Sequence, residues 1–70
     1  MKISGRNFIP GKIVEIKEGA TTAHVRVAIA GGTILTASIT NEAVEELGLK
    51  LGESVHALIK ASDVMIAVGD

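Results

Sequence analysis

Seventy residues make one domain at most, residues 1–70, and a core of that size is marginal without disulfides, metals or oligomerisation. Cysteine is absent, which excludes disulfides and thiolate metal sites. Seven basic residues against eight acidic ones leave a net charge of −1, and Phe8 is the only aromatic; a nucleic-acid binder of this size shows a basic excess or interleaved aromatics, and this chain has neither.

Along the chain the apolar pattern is mostly period two, the signature of half-buried strands. Lys12-Ile13-Val14-Glu15-Ile16-Lys17 is predicted as strand one, opened or bent by Pro10. A loop with a glycine hinge, Glu18 to Thr22, leads to strand two, His24 to Ile29, where Val25, Val27 and Ile29 share one face and His24 and Arg26 the other. Gly31-Gly32 then predicts a hairpin into strand three, Thr33 to Ile39, because both residues can take positive φ. The period changes at Thr40 to Gly48, which reads as one short helix. Thr40 is its N-cap, Glu42 the first-turn acid, Ala43, Val44 and Leu47 its apolar face, and Gly48 its C-terminal stop. Ser54 to Lys60 is predicted as strand four and Val64 to Val68 as strand five, with Ala61-Ser62-Asp63 between them.

Three strands, a helix and two strands is the order of a five-stranded, all-β, OB-like Greek-key barrel, whose one short helix lies between strands three and four. With 47% hydrophobic residues, nearly all aliphatic, and strands apolar on both faces such as Val64 to Val68, the chain carries more dry surface than it can bury alone. Self-association follows as the expectation. The longest apolar run is too short to cross a bilayer, and no charged-then-apolar leader follows Met1, so the chain reads as cytoplasmic.

Two segments carry the chemistry. Ile3-Ser4-Gly5-Arg6-Asn7 and Lys60-Ala61-Ser62-Asp63 each set a fixed cation beside small residues that expose hydroxyls or backbone N–H groups, the donor set a dianion needs. Taken singly, each reads more simply as a chain end or a solvated strand end. His24 and His56 have no third ligand at metal spacing and are expected at the surface or an interface. Glu45-Glu46 diverge on a helix and form no catalytic pair. Gly31-Gly32 lacks the setting and the Lys-Ser/Thr ending of a phosphate loop. Met65 is expected to pack, and Asp63 to turn the backbone after Lys60.

These residues resemble a known family. Ser4-Gly5-Arg6-Asn7 is similar to the Ser-Ala-Arg-Asn start of the molbindins, small bacterial molybdate-binding proteins with a TOBE-type domain. The likeness continues through Gly11-Lys12-Ile13-Val14, Gly19 to Ala23, and Val44-Glu45-Glu46-Leu47-Gly48, and closes on Lys60 to Ile66, covering essentially the whole chain. Gly5 in place of Ala, and Pro10, are the departures. The resemblance implies an OB-like barrel that dimerises, three dimers forming a hexamer, with molybdate or tungstate held between subunits. It implies a main site of Ser4, Gly5, Arg6, Lys60, Ala61 and Ser62, approached by Thr40 of a partner chain, and a second class of site at Gly19, Ala20, Thr21 and Thr22.

The expected function is therefore storage or buffering of molybdate or tungstate without chemistry on it, no nucleophile or general base being evident. No cofactor is expected beyond that ligand, no direct protein–metal ligand, and no membrane or nucleic-acid partner. The competing readings are a nucleic-acid-binding OB module, ranked low for want of stacking aromatics, and an accessory subunit of an enzyme or transporter.

Overall fold

The computed structural model describes residues 2–69. Four strands form one antiparallel sheet: β1 (Asn7–Glu18), β2 (Thr22–Ile29), β3 (Ile34–Thr40) and β4 (Ser54–Ile59), in the order β3-β2-β1-β4. One helix, α1 (Asn41–Leu47), joins β3 to β4. The order of elements up to β4 is the one expected, and the sheet is mostly β with a single helix, the curled OB-like arrangement.

Alternation decides which side is dry. Ile13, Ala23, Val25 and Val27 are buried on the inner face of β1 and β2, and Val44 of α1 closes over them. Ile16, Ile29, Ile39, Leu49 and Val55 pack around this nucleus. These are small aliphatic side chains, so close backbone approach replaces aromatic bulk. Gly11 shows how close: a Cβ there would lie 2.6 Å from Val27 Cγ1 and 2.7 Å from the Ala28 carbonyl oxygen.

Local signals set the turns. Gly31 and Gly32 both take positive φ, 86° and 83°, between β2 and β3, as the hairpin expectation requires. Thr40 Oγ1 accepts from the Ala43 N–H at 3.0 Å, and Gly48 ends α1 in the left-handed region. β1 begins five residues before the predicted Lys12 and runs through Pro10. Ile13 bonds toward the β4 side, through Glu53 and Gly52, so by alternation Pro10 faces the β2 side. Pairing with β2 starts only at Gly11, and the missing N–H costs no ladder bond. Between Ile13 and Glu15 a bulge bends the strand.

The fifth strand is a correction. Val64 to Val68 follows a short 3₁₀ turn (Ala61–Asp63) and pairs with no strand among the described residues. Met65, Ile66 and Val68 are 91%, 85% and 96% exposed. A segment apolar on both faces needs cover on both sides, and one curled sheet with one helix has no second layer to give. The sheet consequently does not close into a barrel within the chain: β3 and β4 remain its two edges. Between them lies an apolar groove of about 420 Å³ lined by Val25, Ile39, Leu47, Val55, Ala57 and others. Met65, expected to pack, stands in solvent.

Candidate oxyanion site

The antiparallel register of β1 and β4 brings the two ends of the sequence together. Its last rung is Asn7–Ile59, fastened by a bond from Asn7 Nδ2 to the Ile59 carbonyl at 3.1 Å. Past that rung residues 3–6 and the 3₁₀ turn Ala61–Asp63 leave the ladder at the same end of the sheet, with Arg6 and Lys60 flanking the last paired residues. Gly5 sits over Leu58, whose Cδ2 would be 3.8 Å from an added Cβ, an ordinary contact that admits the alanine of the related families. After Lys60 the chain turns tightly: the Asp63 N–H bonds the Lys60 carbonyl at 2.8 Å and Val64 the Ala61 carbonyl at 3.3 Å. Asp63 thus turns the backbone, as expected. Among the described residues no acceptor takes the N–H groups of Ala61 and Ser62, and neither Arg6 nor Lys60 is in an ion pair. Two cations, two hydroxyls and two unpaired N–H groups therefore lie along one exposed end of the sheet.

Thr40 is not among them. It pairs with Thr22 at the end of β3, while Ala23 pairs with Glu18 at the end of β1 opposite Asn7. Within the chain Thr40 accordingly belongs with Gly19, Thr21 and Thr22. Asn41 ties this group together: its N–H bonds the Thr21 carbonyl at 2.9 Å, and its Nδ2 bonds the Gly19 carbonyl at 3.0 Å. The Gly19 N–H in turn bonds the Thr22 carbonyl at 2.7 Å, closing the β1–β2 turn, with Ala20 exposed at its tip. Asn41 Oδ1 is buried there with no hydrogen-bond partner.

The sheet also gathers residues that local patterns do not single out. Lys17 and His24 are opposed across β1 and β2, and with Glu18, Gly19 and Thr22 they border a cleft of about 240 Å³. Counting back along the β1–β2 hairpin from its turn would have paired them. His56 stands exposed on the outer face, stacked on Phe8 with ring centroids 4.2 Å apart and planes 15° from parallel.

Comparison with known proteins now bears on this geometry. The TOBE domain model matches residues 3–66, nearly the whole chain and both segments of the Arg6–Lys60 cluster. The chain belongs to the TOBE-domain family. It is 50% identical over 66 residues to molybdenum-pterin-binding protein 1 of Clostridium pasteurianum, covering 94% of this chain and 97% of that one. Its fold matches a molybdate-binding protein from Sporomusa ovata with a TM-score of 0.91 and 38% identity, covering 97% of this chain and all of the other. It also matches the cytoplasmic molybdate-binding protein ModG, in a form with molybdate bound, with a TM-score of 0.88 and 48% identity over 93% of this chain and 46% of that one. The TOBE match spans the sheet, the helix and the Val64-Met65-Ile66 segment that leaves the sheet.

Proposed function

We propose that this chain binds molybdate or tungstate and stores or buffers it in the cytoplasm, without chemistry on the anion. The relatives and structural neighbours are named for molybdenum or molybdate binding, one of them as a cytoplasmic protein. The observation that supports the reading on particular residues is the β1–β4 register, whose last rung, Asn7–Ile59, is flanked by Arg6 on one strand and Lys60 on the other. Ser4, Gly5, Arg6, Lys60, Ala61 and Ser62 form the main site. Arginine offers a planar fork and lysine a point charge, while the Ser4 and Ser62 hydroxyls and the Ala61 and Ser62 N–H groups complete a shell of donors. Thr40 is too far along the sheet to join from its own chain, so it comes from another copy. Gly19, Ala20, Thr21 and Thr22 form the second class of site.

A hexamer of three dimers is the assembly that fits. Its support is the open apolar groove between β3 and β4, together with the exposed Val64 to Val68 segment, which another copy would cover. Catalysis is no part of this reading, since the relatives and neighbours are named for binding. A free pterin is a poor fit, because Phe8 is the only aromatic and His56 already covers one face of its ring. Nucleic-acid binding falls for the same reason, bases needing open aromatic platforms. Calorimetric titration of the purified chain with molybdate, sulfate, phosphate and a single-stranded oligonucleotide tests the reading. Heat from molybdate and none from the oligonucleotide is expected; the reverse would reject it.

A further inference from the structure

We propose that Asn7 is a positioning residue for the oxyanion site: its side-chain bond to the Ile59 carbonyl holds the start of β1, so that Arg6 projects from a fixed place before the anion arrives. The inference rests on the oxyanion reading above. It goes further by giving a task to the one residue of the Ser4-Gly5-Arg6-Asn7 tetrad that the donor shell does not use.

The two segments that carry the cations are held differently. On the β4 side the chain braces itself. Lys60 opens the 3₁₀ turn Ala61–Asp63, and its carbonyl accepts from the Asp63 N–H at 2.8 Å, with the Val64 N–H on the Ala61 carbonyl at 3.3 Å. The β1 side has no such turn. Residues 2–6 precede the strand, and among the described residues nothing hydrogen-bonds Ser4, Gly5 or Arg6 to the sheet. What this segment meets is apolar: a Cβ added to Gly5 would lie 3.8 Å from Leu58 Cδ2 and 3.9 Å from Ile3 Cδ1. Apolar contact is non-directional, so it keeps the segment near β4 without fixing the direction from which Arg6 leaves the sheet.

The first directional hold is at Asn7, half-buried, whose Nδ2 donates to the Ile59 carbonyl at 3.1 Å. A carbonyl oxygen accepts and never donates, so the amide has to present its nitrogen and is locked in one sense. Asparagine is depleted in strands, and its use as the first residue of β1 asks for a reason. A stitch serving only stability needs no particular place along the ladder. This one sits beside Arg6, on the last rung, 52 residues from its acceptor. Arginine is long and rich in rotamers, and binding must supply the ordering of whatever is loose beforehand. With Asn7 held, the Arg6 side chain is what remains to be ordered; without that bond the backbone back to Ser4 must be ordered as well. In metal sites, removing the groups that orient the ligands weakens binding by about tenfold to a hundredfold. An arginine held through its neighbour's amide belongs at the low end of that range, about tenfold.

The test is a double-mutant cycle on the full chain, read by calorimetry with molybdate as the probe. Asn7→Ala removes the donor; Asn7→Leu removes it while keeping the volume of the side chain, and carries the cycle where the alanine variant does not fold. Circular dichroism and urea unfolding check each variant. Either change is expected to weaken molybdate binding about tenfold. Beside Arg6→Ala it should add no more than about twofold, because no guanidinium is left to place, whereas beside Lys60→Ala it should keep its full effect. A general loss of stability acts alike in all three backgrounds. NMR order parameters of residues 4–6 should fall in the molybdate-free Asn7 variants and recover at saturating molybdate. Arg6→Ala weakening binding while the Asn7 variants bind as wild type does, or an Asn7 effect as large beside Arg6→Ala as alone, would overturn the positioning role and leave the main site standing. Molybdate binding untouched by Arg6→Ala would instead reject the Arg6–Lys60 assignment, and the role of Asn7 with it.

Discussion

Asn7 and Ile59 lie 52 residues apart in sequence, and the bond between them fastens the rung that Arg6 and Lys60 flank. Removing one charged donor from a bound dianion typically costs about 1.5–3 kcal/mol, roughly tenfold to a hundredfold in affinity. Arg6→Ala and Lys60→Ala are each expected to weaken molybdate binding by that much, while Lys50→Ala, in the loop before β4, leaves it unchanged; titration calorimetry on the three variants decides. Two glycines make an opposite pair. Gly5→Ala should change neither stability nor binding, because its Cβ meets nothing closer than 3.8 Å. Gly11→Ala forces a methyl to within 2.6 Å of Val27 Cγ1 and 2.7 Å of a backbone oxygen, and overpacking of this kind costs about 1–3 kcal/mol, readable in urea unfolding. The candidate cations were legible in the sequence because their residue types and small neighbours announce a donor set. The tightness at Gly11 and the Lys17–His24 pairing were not, because both depend on which residues of β1 and β2 face each other, and a bulge near Val14 shifts that register partway along.

The strands and helix that local chemistry specifies stand as expected. Val25 and Val27 alternate into the core, two glycines turn the β2–β3 hairpin, and α1 starts at its threonine cap and stops at Gly48. Two departures have physical causes. β1 extends back through Pro10 because its missing N–H points past the end of β2. Val64 to Val68 forms no strand because nothing in one chain can cover both of its apolar faces. The sequence pattern reports that a segment prefers to be buried; it does not report whether the covering surface belongs to the same chain. Thr40 links both concerns, since it caps α1 and is the residue proposed to reach a neighbour's site. Thr40→Ala should cost about 1 kcal/mol by thermal unfolding, with Thr40→Ser restoring the cap. If binding tracks the hydroxyl too, the serine variant recovers affinity along with stability.

Among the described residues a buried nucleus of five, none larger than isoleucine, is thin support for a 70-residue chain, and the groove and the exposed end segment together mark where more burial is to be had. Light scattering on dilute protein should give six times the chain mass of 7.2 kDa, and Ile66→Asp should lower it, because a carboxylate at a dry contact must be desolvated without a partner. A stable wild-type monomer would remove the subunit-interface site along with the hexamer. The central claim, a donor-only shell for a tetrahedral dianion, is tested most directly by competition calorimetry on the wild-type chain at one pH and one salt concentration. Molybdate and tungstate share charge and nearly share size, so they should bind alike. Sulfate is smaller, leaving fixed donors too far from its oxygens, and should bind more weakly. Phosphate carries a proton at neutral pH, and a shell without an acceptor leaves that O–H unpaired at about 1–3 kcal/mol, so it should bind poorly. Phosphate displacing molybdate at comparable concentration would contradict the donor-only shell, and no heat from molybdate at all would contradict the function.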